Sequence, residues 1–148
     1  MAKGLGWRIL SRLLGLIIFL VMILAVNILN NYIQNTVLDE VVKFLNKELL
    51  TIILISVFFV IAEIFTALDF PFDLPTPLFN GIASIFLVSF LLDVFVFVIR
   101  IITGENLAGA ARLASFVLYP LVFIIVIIVG YVSIFSRMGK GKRKKAEK

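Results

Sequence analysis

Three charged side chains, Asp93, Arg100 and Arg112, stand in or beside apolar runs long enough to lie in a membrane. A charge at the bilayer centre costs about 2.5–3.5 kcal/mol on insertion scales, so such groups face protein or water. They mark proton or ion relays, or ion-pair latches. Asp93 and Arg100 are seven residues apart, two helical turns, and so share a face. Arg112 follows across a short turn. The three are expected to form one intramembrane cluster in the outer half of the protein. The bland alternative has both arginines reaching to the outer interface and Asp93 protonated or bonded to neighbouring Ser or Asn. Glu63 is a second intramembrane acid, roughly 8–9 Å from the inner end of its span by helical rise. It can reach headgroups or a basic partner such as Arg12 or Arg137. Its depth differs from that of Asp93, so the two are not expected to form a carboxylate pair.

Other chemistries are excluded by what the chain lacks. It has no cysteine and no histidine. Thiol catalysis, disulfides and thiolate or imidazole metal sites are therefore out, as is the commonest general base. No GxGxxG, Walker, HExxH, GxSxG or EF-hand pattern occurs. The expectation is a non-enzymatic protein with no cofactor and no metal. Proton or cation handling would rest on carboxylates alone.

The elements that position these charges are four apolar runs, Leu13–Leu29, Leu49–Leu68, Leu78–Ile102 and Leu113–Phe135. Each is near or above the roughly 17–25 residues of a membrane-crossing helix. The 148 residues are 62% hydrophobic, with a mean hydropathy of +1.17. The fold class read from this is an all-α integral membrane protein, a four-transmembrane-helix bundle over residues 1–136. The first run is longer than the 7–15 residues of a typical signal h-region and no small-residue cleavage site follows, so it reads as an uncleaved span.

Orientation follows from counting cations. With both termini inside, Lys3, Arg8, Arg12 and seven tail cations make ten inside, against Lys43, Lys47, Arg100 and Arg112 outside. The positive-inside rule then predicts a multi-pass protein of the cell membrane with both termini cytoplasmic. No internal repeat is visible, which argues against an inverted-repeat transporter.

The connections differ in character. Thr36-Val-Leu-Asp39 reads as a capping box opening an amphipathic run, predicted as an outer helix between spans one and two or a continuation of span two. Within it, Asp39 precedes Lys43 by one turn, the favourable order for an ion pair. The inner connection carries Asp69, Pro71, Asp73, Pro75 and Pro77, where proline forbids helix. It reads as a rigid hairpin turn or as a partner-docking or re-entrant segment. Gly104 suits a helix C-terminus and Asn106 a cap for the next helix. Asn27, Asn30, Asn31, Gln34 and Asn35 gather where span one ends, a polar helix end able to bond across helices. Small residues from Gly109 to Ser115 predict a packing face on span four, and Pro120 predicts a kink there.

Arg137, Lys140, Lys142, Arg143, Lys144 and Lys145 crowd the last residues. Residues 137–148 are predicted to be a disordered cytoplasmic tail on anionic lipid at the inner face, with no nucleic acid as partner. The function expected is association: a subunit, assembly factor or scaffold of a membrane complex, partnered by lipid and by other membrane proteins or further copies. The alternative is a homo-oligomeric ion or proton channel or transporter using Asp93 with Arg100 and Arg112.

Overall fold

The computed structural model describes the backbone of residues 2–33, 35–68 and 70–146; the side chains of residues 2–5, 8, 12 and 137–146 lie outside that description. Four α-helices account for it: α1 (Ala2–Tyr32), α2 (Thr36–Thr66), α3 (Thr76–Thr103) and α4 (Ala108–Ala146). Each holds a stretch long and apolar enough to cross a membrane, namely Ile9–Tyr32, Thr36–Thr66, Thr76–Thr103 and Ala108–Ser136. The shortest of the four helices, α3, has 28 residues and measures about 42 Å at the helical rise, ample for a hydrocarbon core of roughly 30 Å.

The helices form an open row rather than a closed bundle. Among the described residues α1 packs on α2, α2 on α3 and α3 on α4. No Cα of α1 comes within 8 Å of one in α3 or α4, and none of α2 within 8 Å of α4. Each pair is antiparallel: Phe44 stacks on Phe97 near one end of α2 and α3, and Phe65 on Phe79 near the other. One end of the row therefore gathers the chain termini and the proline-rich connection, and the other gathers the two remaining turns.

Burial is sparse among the described residues. The buried apolar residues are Ile23, Val42, Ala62, Ala83 and Ile134, while Leu14, Ile18, Leu24, Phe116 and Val129 all stand more than half exposed. The closest helix approaches use glycine. A Cβ on Gly130 of α4 would lie 2.6 Å from Cβ of Pro77, and one on Gly81 of α3 would lie 2.8 Å from the Phe123 ring. Pro77 is the largest fully buried side chain. In the small-residue opening of α4, Ala111 and Ala114 line a small cavity against Leu92 and Val96 of α3, while a Cβ on Gly109 would meet nothing within 4 Å.

Two expectations need correction. The amphipathic run after span one is not a separate outer helix but the first turns of α2. Neither glycine nor proline interrupts Thr36–Thr66, so nothing stops propagation. The cap of α2 is Asn35, whose Oδ1 accepts from the Val37 and Leu38 amides at 2.9 and 3.3 Å, in place of the Thr36 capping box. The backbone of α4 is helical through the basic run to Ala146. Lysine, arginine and alanine are good helix formers, and the preceding span supplies the nucleus.

The readings of Gly104 and Asn106 agree with the structure. Gly104 sits at φ 75° after α3 with its amide bonded to the Arg100 carbonyl, and Asn106 Oδ1 accepts from the Ala108 amide at 3.0 Å. Pro120 lies inside α4, helical on both sides of it.

Candidate functional site

The charges near the turn end of the row meet on one stripe of α2 and one stripe of α3. On α2, Glu40, Phe44 and Lys47 recur at i, i+4 and i+7; on α3, Asp93, Phe97 and Arg100 do the same. Antiparallel packing sets them opposite one another as three rungs. Arg100 donates to Glu40 Oε2 at 3.2 Å. Phe44 and Phe97 stack with centroids 4.3 Å apart. Lys47 Nζ lies 4.0 Å from Asp93 Oδ1. Because each helix carries acid, Phe and base in the same order, reversing one against the other places every acid against a base.

Glu48 adjoins this ladder and is 3% exposed, the buried charged residue of the described chain. Lys47 holds it at 2.9 Å, so a single ammonium serves two carboxylates, Glu48 and Asp93. A buried carboxylate is tolerated where such a partner offsets its desolvation. Lys43 pairs with Asp39 at 2.6 Å as the acid-first spacing predicts. The ladder rims a cavity of about 720 Å³ that also touches Lys43, Asn106 and Ala108. That size falls in the roughly 300–1,000 Å³ range of ligand pockets.

The anticipated trio is divided. Asp93 and Arg100 line this cavity, but Arg112 lines a neighbouring one of about 270 Å³ with Asp93, Ser89, Ser115 and Tyr119. Asp93 is the charged residue common to both. Its described ion pair is with Lys47, and that of Arg100 is with Glu40. Arg100 also lies over the Phe97 ring at 5.9 Å. Together the two cavities carry polar side chains from the turn end of the row to the level of Tyr119.

Glu63 lies on α2 one turn before its end, at the opposite end of the row from Asp93. There Phe58 stacks between Phe79 and Phe86 at 6.3 and 5.7 Å, and the cavity beyond shares no lining residue with the two outer ones. In the connection, Pro71, Phe70 and Phe72 are exposed, Asp73 and Pro75 are half-buried, and Pro77 is enclosed; Asp69 lies outside the described residues. The side chains of Arg137, Lys140, Lys142, Arg143, Lys144 and Lys145 lie outside the description as well.

Sequence reasoning missed Glu40 and Lys47 as partners of Arg100 and Asp93, and missed Glu48 altogether. The signal was present as two copies of acid-x3-Phe-x2-base, Glu40 to Lys47 and Asp93 to Arg100. Reading the first copy as part of a separate interfacial helix hid the match. The amides at the end of α1 also bond across helices: Asn27 and Asn46 exchange hydrogen bonds at 3.2 and 2.9 Å, and Asn30 donates to Asp39 at 3.5 Å.

No protein-family model, no curated protein and no solved structure matches this chain.

Proposed function

We propose that this protein works by association, as a subunit, assembly factor or scaffold of a membrane complex, without catalysis of its own. The observation that carries the reading is the open row. With α1 resting on α2 alone and α4 on α3 alone, both outer helices present free flanks. In lipid there is no hydrophobic drive to close such a row, and helix association rests on packing and hydrogen bonds that a partner can equally supply. The flank of α1 bears Leu14, Ile18, Val21 and Leu24, each more than half exposed.

The cation asymmetry supports a placement in the cell membrane with both termini cytoplasmic. By chain position the termini end holds ten bases and four acids, and the other end four bases and five acids. The basic end of α4 would then lie against anionic inner-leaflet lipid. Native mass spectrometry after gentle extraction tests the proposal. A stoichiometric assembly with other membrane proteins or further copies is expected; recovery as a lone monomer in mild detergent sinks it.

A second reading, an ion- or proton-conducting homo-oligomer, draws support from Asp93 lining both outer cavities. Conduction through one chain is disfavoured by the phenylalanine layer of Phe58, Phe79 and Phe86. Several copies would have to complete the path. Liposome flux measured on Asp93→Asn decides it, since an unchanged flux removes Asp93 from any conducting role.

A further inference from the structure

At the termini end, a cavity of about 190 Å³ is lined by Thr66 of α2, Asp73 of the connection, Thr76, Pro77 and Asn80 of α3, and Gly130, Ser133 and Ile134 of α4. Asp73, one of these lining residues, has a buried carboxylate oxygen, Oδ1, with no hydrogen-bond partner among the described residues. Leaving a buried acceptor unsatisfied is costly, and a bound water or ion is one way to satisfy it. Successive turns hold Asp73 in place, with the Leu74 amide on the Pro71 carbonyl at 3.3 Å and the Thr76 amide on the Asp73 carbonyl at 3.1 Å.

The remaining polar lining is oxygen-rich. The Thr66 hydroxyl donates to the Ala62 carbonyl at 2.8 Å, which leaves its oxygen free to accept, 3.5 Å from the Thr76 hydroxyl. Asn80 adds an amide oxygen and Ser133 a hydroxyl. Among the described residues lining the cavity none is basic, and Asp73 is the one carboxylate. Hard oxygen donors select hard cations. One carboxylate with neutral oxygens matches a single positive charge, and no group of three or more acidic, His or Cys side chains that could cage a metal ion occurs among the described residues.

We infer that Asp73, Thr66, Thr76, Asn80 and Ser133 form a binding site for a monovalent alkali cation, which ties the ends of α2, α3 and α4 together. The inference stands apart from the association reading, because it concerns one chain whatever its partners.

Thermal unfolding of the full-length protein in zwitterionic nanodiscs tests it, with NaCl or KCl exchanged for choline chloride at constant ionic strength. A ligand bound only by the folded state raises Tm with its concentration. Once the site fills, Tm is expected to climb by about 3–5 °C for each tenfold rise in Na+ or K+. Asp73→Asn should flatten this dependence, Ser133→Ala should shift it to higher cation concentration, and Glu105→Gln should leave it intact. The wild-type contrast with choline needs no variant to fold. A Tm that does not respond to either alkali cation overturns the site, as does a response to Mg2+ or Ca2+ alone. Retention of the full slope by Asp73→Asn would equally overturn it.

Discussion

The two ends of the helix row are held by different physics. At the turn end, α2 and α3 meet through complementary charge, with Arg100 on Glu40 and Lys47 shared by Glu48 and Asp93 beside an open cavity of about 720 Å³. At the termini end, α3 and α4 meet by backbone approach, with Gly130 against the enclosed Pro77 and Gly81 beneath the Phe123 ring. Beside the cavity, long charged side chains reach across from one helix to the other. Where the helices touch, only hydrogen fits at Cα. The charged end is consequently sensitive to loss of a partner, and the glycine end to gain of a methyl group.

Removing Lys47 should have the largest effect. Lys47→Met leaves Glu48 buried without its ammonium. Breaking a fully buried pair costs roughly 3–5 kcal/mol, and exposure of the lysine reduces the expectation to about 2–3 kcal/mol. Steric-trapping measurements of unfolding free energy in bicelles would read it. Adding Glu48→Leu to Lys47→Met should recover most of the loss, because the orphaned charge goes with it; no recovery would mean that Lys47 acts mainly through Asp93.

Gly130→Ala follows, at about 2 kcal/mol of destabilisation, within the roughly 1–3 kcal/mol range of overpacking. The obstructing atoms belong to the Pro77 ring and backbone, which cannot swing aside. Gly15→Ala makes the opposite control. Its Cβ would meet nothing within 4 Å, so helix propensity should stabilise the protein by up to about 1 kcal/mol. Chemical denaturation followed by tryptophan or tyrosine fluorescence separates the two signs.

Asn27→Leu should cost about 0.6 kcal/mol, the average found for interhelical hydrogen bonds in membranes, by removing the exchange with Asn46. Arg100→Gln should cost least, about 0.5 kcal/mol or below, because that pair is half-exposed and screened. A larger loss for Arg100 than for Lys47 would reverse the order of the two charged rungs and shift weight to the cation–aromatic contact with Phe97.

Much of this was legible in the chain. Long apolar runs need no tertiary knowledge to be recognised as helices, because the bilayer sets their length. Gly104 and Asn106 were readable for a similar reason, since turn chemistry is local. Glu48 was not, because its burial depends on which face of α2 meets α3, and the apolar run was judged to begin one residue later. Reading the start of α2 as a separate helix hid the register that pairs Glu40 with Arg100. Gly130 and Gly81 carried no local pattern. Interhelix contact depends on crossing geometry, which small-residue content alone does not specify.

The open row itself is tested most directly by the distance between its outer members. The chain has no cysteine, so spin labels at Val21→Cys on α1 and Ile125→Cys on α4 report without background. Pulsed dipolar spectroscopy in nanodiscs, under dilution with unlabelled protein, should return a separation well beyond the 8–10 Å of a single helix-packing step. A distribution centred near one packing step would mean that α1 closes onto α4, and the free flanks on which the association proposal rests would not exist.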